Sequence, residues 1–97
     1  MGKEEILKIL RSYYQIYSGK YGIINLGFYG SAAREMMTAN SDIDIVVELN
    51  QPDLFILSDI KQDLEERFGR RVDIVRGRRE MRSFLKKRID KEAVYVR

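Results

Sequence analysis

The chain has 97 residues, and we expect a single domain spanning 1–97, because a typical domain uses about 100 to 150 residues. Hydrophobic residues make up 44% of the sequence and charged residues 34%, a balance typical of globular chains. The sequence contains no cysteine and no histidine, which excludes disulfides, a Ser-His-Asp triad and nearly every zinc or iron site. Any catalysis must therefore use carboxylates, hydroxyls, lysine, arginine or a hard cation.

The formal net charge of +3 is unevenly distributed along the chain. Residues 1–66 carry six basic and eleven acidic side chains, whereas residues 67–97 carry twelve basic and four acidic ones. This basic C-terminal third is typical of a surface that meets phosphate, nucleic acid or an acidic protein, although a solvated helix face gives the same pattern. The N-terminus lacks an apolar signal region and no apolar run approaches the roughly 18 residues of a membrane span, so we expect a cytoplasmic protein.

The N-terminal half of the sequence predicts alternating helices and strands. Apolar residues at helical spacing predict a helix over 4–17, ended by Gly19 as a left-handed cap. The apolar and β-branched run 23–29 predicts a buried strand, and 32–37 can form a short helix after it. The alternating segment 42–49 is the clearest strand of the chain.

The C-terminal half continues the alternation. Asp53 is placed to cap a helix over about 54–68 that ends at the following glycine, and the alternating segment 71–75 predicts a third strand. A last helix is expected over about 79–90, followed by a short apolar tail that forms a strand or a docked end. The resulting order α-β-α-β-α-β-α predicts an α/β (α+β) fold with a small mixed sheet and flanking helices.

Two predicted strands carry aspartates, which are poor strand formers and costly to bury without a partner. Asp42 and Asp44 are two residues apart and therefore share one face of their strand, where they can converge on one cation. Mg²⁺ prefers such oxygen ligands when substrate phosphates complete its coordination. If the third strand is a neighbour, Asp73 joins them and the three could hold two metal ions.

Each of these carboxylates also has a plainer explanation. An Asp-x-Asp pair occurs often on edge strands and in turns. Asp73 could instead form a simple ion pair with one of its arginine neighbours, which are Arg71, Arg76 and Arg78.

Gly30 and Ser31 end the first predicted strand. A Gly-Ser turn before a helix offers backbone N–H groups, a hydroxyl and a positive helix end to an anion. Arg34 follows one turn later and could contact a phosphate oxygen or hold Asp42 or Asp44 in position. An ordinary strand-to-helix turn has the same sequence features.

Together these motifs resemble a known family. Gly30-Ser31, ten further residues and then Asp42-Ile43-Asp44 match the Gly-Ser-x10-Asp-x-Asp signature of the DNA polymerase beta-like nucleotidyltransferase superfamily. The segment 30–34 resembles its minimal nucleotidyltransferases (MNT), as do the strand around Asp73 and the tail over 84–96. The sequence departs from that pattern in the loop over the phosphate site, where the family usually has small residues and this chain has Glu35 and Met37.

The resemblance implies an enzyme that transfers AMP from ATP with two Mg²⁺ ions. It implies that Asp42 and Asp44 bind the metal ions, that Asp73 binds the catalytic metal and helps deprotonate the attacking hydroxyl, and that Gly30 and Ser31 hold the phosphates. Arg34 would be a supporting nucleotide contact. Similar minimal proteins are antitoxins paired with HEPN-domain toxins, and some adenylylate a tyrosine of the toxin. We therefore expect a HEPN toxin as partner and acceptor.

Two other functions stay open at this stage. An antitoxin could neutralise its partner by contact alone, through the tyrosine-rich first helix and the basic tail, although such an aromatic stripe is more often part of a core. Direct nucleic-acid binding through the C-terminal basic residues is not expected, because no interleaved aromatic side chains support base stacking. Met36 and Met37 beside the motif, together with Tyr13 and Tyr14, predict exposed apolar surface and self-association when the partner is absent.

Overall fold

The computed structural model describes residues 1–77 and 83–96, which form three helices and a four-stranded mixed sheet. The predicted fold class is confirmed. In the described part of the chain, no helix is both long enough and apolar enough to cross a membrane. The elements in chain order are α1 (Lys3–Tyr21), β1 (Ile23–Tyr29), β2 (Ile43–Leu49), α2 (Leu54–Phe68), β3 (Val72–Arg76), α3 (Ser83–Glu92) and β4 (Val94–Tyr95).

The strands lie in the order β3-β2-β1-β4. β2 and β3 are parallel, while β1 is antiparallel to both β2 and β4. Because side chains alternate along each strand, one face of the sheet packs against α1 and α2 and the other packs against α3. The larger core, on the α1 and α2 face, includes Leu10, Leu26, Phe28, Ile43, Ile45, Val47, Ile60 and Leu64. The smaller core joins Ile89 of α3 to Tyr29 and Val46.

The first two long helices follow their sequence signals with one difference. α2 begins after Asp53, whose carboxylate accepts hydrogen bonds from the backbone N–H groups of Phe55 and Ile56, and it ends at Gly69 in the left-handed conformation. α1 continues past the predicted stop at Gly19 and ends at Gly22, which has φ +65°. Gly19 was the wrong cap because the apolar stripe continues to Tyr21, which packs on the core.

The predicted short helix over 32–37 is wrong. Residues 30–35 form a series of turns, in which the Arg34 N–H donates to the carbonyl of Gly30 and the Met36 N–H donates to that of Ser31. Glu35 adopts φ +58°, which a right-handed helix cannot contain. The observed order is therefore α-β-β-α-β-α-β, with the predicted C-terminal strand present as β4.

The other boundaries shift by a few residues. β2 begins at Ile43, so Asp42 lies just before the strand, and β3 covers residues 72–76. α3 is described from Ser83 onward. The start of the predicted helix at residue 79, together with Arg78, Arg79 and Arg82, lies outside the described residues.

The C-terminal strand fixes α3 against the sheet. β4 pairs with β1 through Gly27 and Phe28, and the Val96 N–H donates to the carbonyl of Leu26. A β-carbon on Gly27 would stand 2.6 Å from the carbonyl oxygen of Val94, so only glycine permits this close approach. α3 therefore crosses the face of the sheet that carries the aspartates.

Candidate active site

Three polar side chains form a row across one face of the sheet. Tyr29 at the end of β1 lies opposite Asp44 in β2, and Asp44 lies opposite Asp73 in β3. Neighbouring strands are about 4.8 Å apart, so the two carboxylates can meet a common ligand. The expectation that Asp73 joins Asp44 on a neighbouring strand agrees with this register. We call Tyr29, Asp44 and Asp73 the carboxylate row.

The electrostatics of this row are those of crowded negative charge. Burial raises the pKa of Asp44 above its usual value, and the nearby carboxylates of Asp73 and Asp42 raise it further, while the guanidinium groups of Arg88 and Arg34 oppose the shift. Burial together with the charges of Asp44 and Asp73 raises the pKa of the Tyr29 hydroxyl to about 12. A divalent cation at the row would relieve this repulsion.

Asp42 lies beside the row but has a different partner. Its carboxylate is 3.3 Å from Nε of Arg71, in an ion pair where both side chains are substantially exposed. Of the arginines that could instead pair with Asp73, Arg71 pairs with Asp42, and Arg78 lies outside the described residues. Among residues 1–77 and 83–96, no three acidic side chains are gathered closely enough to hold a metal ion between them. Asp42, Asp44 and Asp73 have the oxygen chemistry that Mg²⁺ prefers, but the three carboxylates do not converge on one point in this structure.

The Gly30-Ser31 turn lies directly against Asp44. Gly30 is buried with φ +70°, and a β-carbon there would collide with the Asp44 carboxylate. Ser31 is partly exposed at the end of β1, next to the carboxylate row. The two halves of the sequence signature are therefore in contact in the folded chain.

Arg70 is a residue of this region that sequence reasoning missed. Its Nη1 donates to the carbonyl of Thr38 at 2.9 Å and to that of Ser41 at 3.2 Å, while the Thr38 N–H donates to the Ser41 hydroxyl. These bonds hold the loop that leads into Asp42. No local pattern could indicate them, because Arg70 is about 30 residues away and follows a different helix.

Arg34 does not extend freely toward a nucleotide. Its Nη1 donates to Oε1 of Glu92 at 2.9 Å, and Nε of Arg88 lies 3.4 Å from the other oxygen of the same carboxylate. Sequence reasoning missed both Glu92 and Arg88. Their spacing of four residues indicates a helical ion pair, but nothing local indicates that the pair meets Arg34.

The tyrosine stripe of α1 belongs mainly to the core. Tyr13 is fully buried, and its hydroxyl donates to Oδ2 of Asp63 at 2.7 Å, while Tyr17 and Tyr21 pack partly buried beside it. The core interpretation of this stripe is confirmed for Tyr13, so the expectation that Tyr13 forms exposed apolar surface is wrong; Met37 also packs partly buried against this core. The stripe lies on the opposite face of the sheet from the carboxylate row.

Known proteins are similar to this chain in sequence and in fold. Protein adenylyltransferase MntA of Thermococcus cleftensis is 32% identical over 94 residues, which cover 96% of this chain and 94% of that protein. A solved structure provisionally described as a minimal nucleotidyltransferase is 28% identical, covers 97% of this chain and 95% of that chain, and superposes with a TM-score of 0.78. A chain in the complex of the tri-AMPylated Shewanella oneidensis HEPN toxin with its MNT antitoxin shares the fold, with 20% identity, coverage of 98% of this chain and 68% of that chain, and a TM-score of 0.61.

A family model described as a nucleotidyltransferase domain matches residues 3–96, which is nearly the whole chain. The match includes the Gly30-Ser31 turn and all three aspartates. The chain therefore belongs to the nucleotidyltransferase domain family.

Proposed function

We propose that this protein is an antitoxin that transfers AMP from ATP to a tyrosine hydroxyl of a HEPN-domain toxin. The observation that supports this most directly is the carboxylate row beside the Gly30-Ser31 turn. The row supplies negative oxygens for a cation, and the turn supplies backbone and hydroxyl groups for phosphate, within one small area. This chemistry depends on positioning and charge neutralisation and needs no histidine.

In the proposed function, Gly30 and Ser31 bind the β- and γ-phosphates of ATP. Glycine at this position lets the backbone approach a phosphate closely, and Arg34 adds a supporting cationic contact. Asp42, Asp44 and Asp73 would hold Mg²⁺, which neutralises triphosphate charge when it is bound. Asp42 can take this role only by exchanging its present contact with Arg71, an exposed pair whose loss costs little.

The acceptor would enter from the β3 side of the sheet. β3 is one of the two edge strands, and Asp73 is exposed on it, so a hydroxyl of a second protein can come within reach of its carboxylate. Asp73 accepts the phenolic proton as the tyrosine oxygen forms its bond to the α-phosphorus. The bond between the α-phosphorus and its bridging oxygen breaks, and pyrophosphate leaves with the electron pair.

The identity of the partner is inferred from relatives and from the surface. The T. cleftensis relative is named a protein adenylyltransferase, and the S. oneidensis complex contains an AMPylated HEPN toxin. The described surface of this chain exposes several large apolar side chains that its own core does not use, namely Met36, Leu54, Phe55 and Phe84. Such side chains suit a protein interface or self-association when the partner is absent.

The test is a transfer assay with the product of the adjacent gene. The protein is incubated with ATP, Mg²⁺ and the native partner protein that this gene encodes. The partner protein is then analysed by intact mass and peptide sequencing. We expect a mass gain of one or more AMP groups on tyrosine, abolished by EDTA. The absence of any AMP on a native HEPN partner contradicts the proposal.

The non-catalytic alternative is separated by a double substitution. Asp42→Asn with Asp44→Asn should abolish protection of a host that expresses the toxin if transfer is required. Asp59→Asn, at an exposed carboxylate of α2 away from the row, is the matched control and should protect fully. Full protection by the double variant would instead establish that contact with the toxin is sufficient.

A further inference from the structure

A cluster of three charged side chains joins α3 to the turn after β1. Glu92, in the last turn of α3, accepts from Arg34 at 2.9 Å and contacts Arg88 at 3.4 Å. The Glu92 side chain is 21% exposed, and those of Arg34 and Arg88 are 42% and 46% exposed. One carboxylate thus orients two guanidinium groups, and the cluster keeps an excess positive charge.

This cluster lies beside the carboxylate row. Both guanidinium groups are near enough to Asp44 to act against the rise of its pKa, and Arg88 acts in the same way on Tyr29. Ile89, the residue after Arg88, is fully buried against Tyr29, which fixes this turn of α3 over the sheet. The backbone N–H of Ala93 also donates to the carbonyl of Ile89, and β4 follows directly.

Stability alone does not explain the arrangement. Ion pairs between exposed side chains contribute little to folding, so three solvated groups add little to the stability of the folded state. A guanidinium group binds two phosphate oxygens at once in a fixed fork geometry, and such bonds are among the strongest that side chains form. Two guanidinium groups held together next to the Gly30-Ser31 turn are suited to a polyphosphate.

We propose that Arg88 is a phosphate-binding residue for the nucleoside triphosphate and that Glu92 is a positioning residue that holds Arg88 and Arg34 toward it. This inference rests on the proposed function. When the bond between the α-phosphorus and its bridging oxygen breaks, the departing pyrophosphate gains negative charge. Arg88 and Arg34 neutralise that charge, so Arg88 serves both nucleotide binding and departure of the leaving group.

Calorimetric titration with AMP-PNP and with AMP, in Mg²⁺, tests the inference without requiring turnover. Arg88→Ala should weaken AMP-PNP binding by about tenfold or more, because a charge-assisted contact to phosphate is lost, and change AMP binding by less than about twofold. Lys87→Ala is the matched control, since this exposed lysine precedes Arg88 on the same helix and should leave both affinities unchanged. Arg88→Lys keeps the charge without the fork and should give an intermediate loss, which provides a second variant if Arg88→Ala does not fold.

The role of Glu92 is tested through its dependence on the arginines. Glu92→Gln should weaken AMP-PNP binding and leave AMP binding unchanged. The loss of AMP-PNP affinity should be smaller in the Arg88→Ala background, because the two residues act together. Three results would overturn the proposal. They are an equal loss of affinity for AMP-PNP and AMP, full additivity of the two substitutions, and no loss of AMP-PNP affinity in Arg88→Ala.

The outcome is distinguishable from that of the proposed function. If the wild-type protein binds AMP-PNP through Arg88 but transfers no AMP to the toxin, the role of Arg88 stands and the transfer proposal fails. If the wild-type protein does not bind AMP-PNP in Mg²⁺, the inference about Arg88 fails as well.

Discussion

The carboxylate of Asp44 occupies the space above the Cα atom of Gly30 where a β-carbon would stand. Gly30 also has φ +70°, a conformation that is strained for any other residue. Two separate constraints therefore require glycine at this position. The contact ties the Gly-Ser turn to the aspartate strand, so the geometry of the phosphate site and that of the carboxylates depend on each other.

Gly30→Ala should be more harmful than the same change at a glycine with similar backbone geometry. Gly69 has φ +66° and open space where a β-carbon would lie, so Gly69→Ala measures the cost of the left-handed conformation alone, about 1 to 2 kcal/mol. Gly30→Ala adds a collision with Asp44 and should lower the free energy of unfolding further, as well as weaken AMP-PNP binding. Urea denaturation and calorimetry measure both effects. Equal destabilisation by the two variants would show that the contact with Asp44 is unimportant.

Asp44→Asn should stabilise the metal-free protein while abolishing AMP transfer. Burial and the charges of Asp73 and Asp42 raise the pKa of Asp44, so the ionised form is disfavoured in the folded state. The resulting loss of folding free energy is present above the pKa that Asp44 has in the folded protein, and it is relieved as the pH falls through that value. The wild-type protein should therefore approach the variant in stability at acidic pH. Thermal unfolding from pH 7 downward, with Asp59→Asn as control, measures this convergence. A lower melting temperature for Asp44→Asn than for the wild-type protein at pH 7 would contradict the conclusion that the ionised Asp44 carboxylate destabilises the fold.

The features that could be predicted from sequence are those determined by local interactions. The start and end of α2 follow from Asp53 and Gly69, because a cap and a left-handed stop act within a few residues. The pairing of Asp44 with Asp73 follows from strand alternation once the two strands are neighbours. These elements place the carboxylate row across β1, β2 and β3, on the face of the sheet that packs against α3.

The features that could not be predicted depend on contacts between distant residues. Glu92 meets Arg34 across 58 positions, and Arg70 holds a loop about 30 residues earlier, so no periodicity in the sequence reports either contact. The turn after Gly30 resembles a helix in composition, yet the left-handed conformations of Gly30 and Glu35 prevent one. Glu35 adopts φ +58°, a conformation that carries no strain only for glycine.

Arg70→Ala should reduce AMP transfer more than it reduces stability. Arg70 donates to the carbonyls of Thr38 and Ser41, in the exposed loop that precedes Asp42. Losing these bonds should cost roughly 1 kcal/mol of unfolding free energy, because exposed carbonyls can bond to water instead. The loop then becomes less ordered, so more conformational entropy is lost when Asp42 binds a metal ion. Arg70→Lys keeps a donor nitrogen, and because Nη1 of Arg70 alone makes both bonds, this variant should retain more transfer activity than Arg70→Ala. An equal loss of activity in the two variants would mean that these bonds do not explain the effect.

Tyr29→Phe should remove part of the alkaline instability of the protein. The pKa of Tyr29 is raised from 10.0 to about 12 by burial and by the charges of Asp44 and Asp73. A raised pKa gives stability that is fully present below pH 10 and is lost as pH rises toward 12. Burial and the hydrogen bond to Asp63 also raise the pKa of Tyr13, so the relevant quantity is the difference between variants.

That difference is measured by urea unfolding at several pH values between 9 and 12, together with the ultraviolet absorbance of tyrosinate. Tyr29→Phe should show a shallower loss of stability than the wild-type protein and should lack one late-titrating tyrosine. Tyr14→Phe, on α1 at the opposite face of the sheet, is the control and should follow the wild-type slope. If Tyr29→Phe loses stability as steeply as the wild-type protein, the hydroxyl of Tyr29 does not experience the negative charge of the two aspartates.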